Sequence, residues 1–250
     1  MLTEPTLEKL KLLRLVAMAL AFVEQQKQPD STKLSFDERF GLLVDAEWLH
    51  RENRRLARSL KEAKLKLSQA TIEDIDYTPR RELDRAVIRQ LASCRWVHEH
   101  QNVVITGMTG TGKTYLGCAL AQQACRKGYR VLYRRAPRLL DELALARADG
   151  SSVRLLAKLA RTDVLVIDDW GLTPLRDQDR RDLLEVLDDR YAARSTILTS
   201  QLSPSKWHDY LGDPSSADAI CDRVLHNAHR IMLKGPSRRK PETENKDNNN

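Results

Sequence analysis

The sequence predicts a three-layer α/β domain built on a parallel sheet and preceded by a small all-helical domain. Three observations carry this. Short apolar, β-branched runs alternate with helical stretches from Asn102 onward, a glycine-rich loop lies between the first such run and a helix, and the N-terminal quarter shows helical periodicity with no β-rich segment.

In residues 1–68, Leu10, Leu13, Ala17 and Leu20 recur at a helical period, and Leu34 and Phe36 through Val44 offer a second apolar surface. A third stripe runs Leu49, Leu56, Leu60, Ala63, Leu67. It is flanked by a basic series from Arg51 to Lys66 that reads equally as a solvated face or as a face for DNA or a partner. Ala70–Arg81, with Pro79 and three acids, reads as a linker or an extended lead-in. A helix bearing Leu83, Val87, Leu91 and Cys94 follows. The runs NVVIT (102–106), RVLYR (130–134), VLVI (164–167) and STILTS (195–200) then read as buried parallel strands joined by right-handed crossovers. The polar tail 240–250 is expected to be disordered.

Composition narrows the function classes. With 42 Lys plus Arg against 35 acids, the net charge of +7 suits a polyanionic partner such as nucleic acid. No apolar run approaches the roughly 18–20 residues that cross a bilayer, and the start lacks secretory-signal order, so a soluble, cytoplasmic protein is expected. Cys94, Cys118, Cys125 and Cys221 are widely spaced and form no CxxC pair, which points to reduced thiols rather than disulfides or a zinc site. The histidines form no metal pattern, and Trp96, Trp170 and Trp207 lack a base-stacking spacing.

The strongest chemical signal is GMTGTGKT, Gly107–Thr114, in a strand–loop–helix context. Glycines at 107, 110 and 112 let backbone amides converge on phosphate oxygens at a helix N-terminus. Gly107, Met108, Thr109, Gly110, Thr111, Gly112, Lys113 and Thr114, with Tyr115 just beyond, form the candidate nucleotide-binding set. Lys113 supplies charge for the β and γ phosphates, and the Thr114 hydroxyl is a Mg2+ ligand. The second signal is VLVIDDW, Val164–Trp170, which ends a strand in two acids at the ligand-binding edge of an open α/β sheet. Asp168 is the candidate Mg2+ ligand and Asp169 the group that polarises attacking water; alone, the pair reads as a turn cap. The STILTS strand is expected to insert between the phosphate-loop strand and the acidic strand, with Gln201 or Ser200 near the γ phosphate. Arg134, Arg135 and Arg138, after the second strand, read as DNA-phosphate contacts or as solvated charges.

The series GMTGTGKT, VLVIDDWGLTPL, STILTSQL, KWHDYLGDP and DAICDRVLHNAHRIMLKG resembles IstB over roughly residues 70–239. IstB proteins are helper ATPases of insertion-sequence transposition, kin to the helicase loader DnaC and the initiator DnaA in the AAA+ group. The resemblance implies an AAA+ ATPase domain over 69–239 that hydrolyses ATP with Mg2+. It implies a homo-oligomer formed by ATP on duplex DNA with little sequence preference, and a cognate transposase as partner. The helical domain then serves self-association or partner contact. The resemblance places Gln201 at the sensor position and makes Arg223 an arginine finger, where the bare sequence reads a salt bridge with Asp218 or Glu185. It puts a second sensor at Arg239, or Arg238, although Pro236 stands where an acid is usual. Asp169 replaces the commoner Glu, one methylene longer, which implies slow hydrolysis. Three rivals remain: a DnaC-type loader, a small-molecule kinase and a DNA-coating protein with a vestigial site.

Overall fold

A computed structural model describes residues 3–29 and 33–237. The chain forms two compact units, one up to Arg58 and one from Ser59.

The first unit is helical: α1 (Thr3–Leu12), α2 (Val16–Lys27) and the first part of α3 (Phe36–Ala63). The apolar period from Leu10 to Leu20 does not run along one helix. Arg14 adopts φ 59°, and the Leu15 amide donates back to the Leu10 carbonyl, which closes α1 with a left-handed C-terminal turn that no Gly or Pro announces. Glu47, on α3, accepts the free amides of Ala17 and Met18 at 3.0 and 3.1 Å and so caps α2. Burial pushes the pKa of this carboxyl up, but the bonds from Arg51 and the two amides outweigh it and hold the value below normal.

The division falls inside α3 rather than at residue 68. Past Arg58 the helix and its exit belong to the second unit, where Ala63, Leu65 and Ala70 are buried. The stretch 70–81 is a packed lead-in and not a free linker: Ile75 and Arg81 are also buried. Next come α4 (Arg85–Ala92), capped by the Asp84 side chain on the Ala86 amide, and the single turn α5 (Arg95–His98).

The second unit then alternates β1 (Asn102–Gly107), α6 (Lys113–Arg126), β2 (Val131–Arg135), α7 (Ala136–Ala148), α8 (Ser152–Arg161), β3 (Val164–Trp170), α9 (Asp177–Asp188), β4 (Ser195–Ser200), α10 (Trp207–Leu211), α11 (Pro214–Leu225) and β5 (Ala228–Leu233). All strands pair in parallel in the order β2-β3-β4-β1-β5, so β4 does lie between the phosphate-loop strand and the acidic strand. Both faces are covered. Val104, Leu132, Leu165, Ile167 and Leu198 pack under α7–α11, and α6 lies on the opposite face, with Gly117 against Ile105 and Ile197. Near-continuous apolar strands are what two-sided burial requires. Trp96, Trp170 and Trp207 are core residues, and the Trp170 and Trp207 rings lie 5.7 Å apart. All four cysteines are free and buried. Among the described residues no helix is long and apolar enough to cross a membrane, and no His/Cys/Asp/Glu group could hold a metal as a cluster.

Candidate nucleotide-binding site

The C-terminal ends of β1, β3 and β4 meet at a cavity of about 670 Å³, lined among others by Thr109, Gly110, Gly112, Lys113, Thr114, Tyr115, Arg135, Asp169 and Gln201. The loop after β1 needs glycine at two places for different reasons. A Cβ on Gly107 would run into the Leu233 carbonyl of the neighbouring strand, while Gly112, at φ 92°, starts α6 from the left-handed region. The Lys113 ammonium donates to the Met108 carbonyl at 2.8 Å across the loop, and the Thr111 hydroxyl donates to the same oxygen at 2.8 Å. The Met108 side chain faces solvent. Tyr115 bridges through its phenol to the Thr71 backbone, so the lead-in forms one wall.

Asp168 is fully buried. Its carboxylate accepts from the Thr114 hydroxyl at 3.0 Å, from the Tyr133 phenol at 2.5 Å and from the Thr199 hydroxyl, with the Lys66 ammonium at 3.9 Å. Burial first, and then the bond to Asp168, raise the Tyr133 pKa, so the phenol stays protonated and acts as donor. The Thr114 hydroxyl and the Asp168 carboxylate are hard oxygen donors within 3.1 Å of each other, a set that suits Mg2+.

Asp169 owes its position to an irregularity the sequence does not display. In a regular strand, successive side chains alternate faces, so Asp168 and Asp169 would point apart. Instead the register between β3 and β4 shifts between Ile167 and Trp170, and Asp169 sits at φ 62°. Ile167 and Trp170 consequently enter the same core cluster although three positions separate them, leaving both acids toward the phosphate loop. The Asp169 amide donates to the Thr199 hydroxyl at 3.2 Å, and its carboxylate takes the Arg135 guanidinium at 2.8 Å. That bond and the charge of Asp169 raise the Arg135 pKa further.

Beyond β4, Gln201 rather than Ser200 faces the cavity. Gln201 Oε1 accepts from the Thr109 hydroxyl at 2.8 Å, whereas Ser200 is buried and donates to the Trp170 carbonyl. Arg81 escaped the sequence reading. Its guanidinium donates to the Thr111 carbonyl at 3.0 Å and the Asp76 carbonyl at 2.7 Å, tying the lead-in to the phosphate loop. Tyr133, Thr199 and Lys66 were missed as well, since each acts from a distant segment.

Three predicted groups lie elsewhere or are divided. Arg223, on α11, pairs with Asp188 at 2.5 Å rather than with Asp218 or Glu185. The Asn102 side chain, at the start of β1, donates to its carbonyl, so Arg223 sits at the opposite end of the sheet from the phosphate loop. Five strand residues separate the two ends, on the order of 17 Å. The basic trio does not form one surface: Arg134 pairs with Glu142 at 2.8 Å, Arg135 with Asp169, and Arg138 is exposed. Arg238, Arg239 and the tail 240–250 lie outside the described residues.

The model of the family described as "IstB-like ATP binding protein" matches residues 8–246. This chain belongs to that family. Among curated relatives of the IstB-like group, the insertion sequence ATP-binding protein y4pL of Sinorhizobium fredii is 50% identical over 240 residues, covering 96% of this chain and 98% of its own. The ATP-binding protein of insertion sequence IS1162 from Pseudomonas fluorescens is 53% identical, covering 82% of this chain and 89% of its own. Among solved structures, that of the DnaC helicase loader superposes with a TM-score of 0.55 at 22% identity, covering 66% of this chain and 97% of the loader. That likeness is one of fold, while the IstB-like assignment rests on sequence.

Proposed function

We propose that this protein is an ATP-hydrolysing helper of insertion-sequence transposition, acting in the cytoplasm, that assembles as a homo-oligomer on duplex DNA and engages a cognate transposase. The observation that carries the reading is the convergence of Lys113, Thr114 and Asp169 on one cavity, with buried Asp168 bonded to Thr114, in a chain half-identical to an insertion sequence ATP-binding protein. A vestigial site is disfavoured by this intact set.

In this reading the loop amides and Lys113 hold the ATP phosphates, and Mg2+ would supply charge neutralisation there. Thr114 and Asp168 would hold the ion, with Tyr133 and Thr199 orienting Asp168. Asp169 orients the attacking water, for which its carboxylate has to turn from Arg135, and Gln201 contacts the γ phosphate. Positioning and electrostatics thus carry the reaction, with no covalent intermediate. Arg223, on the order of 17 Å from its own phosphate loop, serves a neighbouring subunit's γ phosphate. Arg239 remains the proposed second sensor.

The test is electron microscopy of the protein with duplex DNA, with and without ATP, beside Lys113→Ala. Particles are expected only with ATP and duplex, and none with the variant. Assembly that ignores nucleotide, or that persists with Lys113→Ala, would overturn the reading.

A further inference from the structure

A second cavity, of about 430 Å³, lies at the other end of the sheet, between α8, the start of β2 and the end of α3. Its charged lining is Arg130, Arg154, Lys158 and Arg161 against one carboxylate, Glu62. Several arginines of this unit are neutralised: Arg126 by Glu73, Arg147 by Asp182, Arg223 by Asp188. Arg130 likewise leans on Asp163 at 3.4 Å. Arg154, Lys158 and Arg161 stand together on α8 and line one cavity. They are exposed, and among the described residues no carboxylate lies within ion-pair distance of any of them.

Their spacing of four and three puts all three on one face of α8, while Leu155, Leu156 and Leu159 pack against the core. The face spans about 10 Å of helix axis at 1.5 Å per residue. One DNA strand presents a phosphate about every 3.4 Å of duplex axis, so the same length takes in about three phosphates. The platform is also rigid. The buried Arg190 guanidinium donates to the carbonyls of Leu159 and Thr162 and to the Thr196 hydroxyl, anchoring the end of α8 to β4. These hydrogen-bond partners are neutral oxygens, and Asp163 supplies opposing charge to the guanidinium.

We infer that this basic groove on α8 is a docking surface for the phosphodiester backbone of duplex DNA, with Arg154, Lys158 and Arg161 as the phosphate contacts. The inference rests on the duplex-binding reading above and names its surface, at the end of the sheet away from the nucleotide.

The experiment measures duplex affinity of the full chain with ATP against salt, for wild type, for Arg154→Ala/Lys158→Ala/Arg161→Ala and for the milder Lys158→Gln. ATP affinity is measured in parallel. The triple variant should flatten the log–log slope by about 2.7 and Lys158→Gln by about 1, evenly across DNA sequences and with ATP affinity unchanged. Should the triple variant fold poorly, Lys158→Gln alone decides. A wild-type slope near zero defeats the duplex-binding reading itself. A steep wild-type slope that both variants retain overturns the groove assignment alone. Retained duplex binding with lost transposase binding would likewise overturn it, assigning the groove to an acidic protein surface.

Discussion

The two units of this chain handle apolar residues in opposite ways. In the unit from Ser59 the strand residues Val103, Ile105, Leu165 and Ile167 are at most 1% exposed, enclosed by helices on both sides. In the unit up to Arg58, Ala19 is the apolar residue that reaches full burial among those described, while Phe36 is 75% exposed and Trp48 66%. Phe36 and Phe40 stack on each other at 6.0 Å on the surface of α3. The difference shows where each fold's stability comes from. A parallel sheet buries enough surface to stand by itself, whereas three helices of this size leave large side chains facing outward. Apolar faces of that kind favour association. The expectation that the helical unit serves self-association or partner contact draws on this contrast.

The largest expected effect lies within the second unit and is read through turnover. Arg223→Ala should cut ATP hydrolysis on the order of a thousandfold while leaving ATP affinity unchanged, measured by phosphate release and calorimetry. Mixing it with Lys113→Ala should restore activity where an intact finger meets an intact pocket. Co-assembled mixtures that stay inactive would instead make Arg223 the structural partner of Asp188 that it is in the free subunit.

Stability comes next. Ile167→Ala should cost about 2–5 kcal/mol in denaturant unfolding. Phe40→Ala, at an exposed position, should change it by less than about 0.5 kcal/mol yet weaken self-association in sedimentation. Equal effects on stability would erase the contrast.

A smaller effect is expected from Tyr133→Phe, which removes one donor to Asp168 and leaves those from Thr114 and Thr199. The Mg2+ concentration for half-maximal hydrolysis should rise about tenfold with ATP affinity little changed. The smallest effect concerns the thiols. Burial pushes Cys94 and Cys118 up to about 11. A raised folded value means stability is fully present below pH 9 and declines as pH rises through 11. Thiol-specific labelling of the native protein at pH 8 should therefore be slow at these positions and become fast on unfolding.

Much of the site was legible beforehand because its chemistry is local in sequence. Phosphate binding needs consecutive amides, a lysine and a hydroxyl on one loop and helix start, so Gly107–Thr114 announces itself, as do the apolar strands and the acids that end β3. The order of β4 followed from the family pattern, and the IstB-like assignment from narrow motifs such as IDDWGL and DRVLHNAHRI. What arises between segments was not legible. The break at Arg14 goes with the Leu15 amide reaching a carbonyl five residues back, and the division at Arg58 with where α3 finds its packing. The partners of Asp168 come from β2 and β4, and the restraint on the loop from Arg81, 30 positions away. The pairing of Arg135 with Asp169 likewise joins β2 to β3 at the cavity beside the phosphate loop. By itself, then, the sequence determined which groups make up the glycine-rich loop and its helix start, because a run of backbone and side-chain donors is a one-dimensional property. Only the tertiary structure decided that Asp168 and Asp169 share one side of a strand, that Arg223 lies at the far end of the sheet and that α8 carries unpaired charge. Bulges, burial and ion pairing depend on which strands and helices become neighbours, and that is settled by packing in three dimensions.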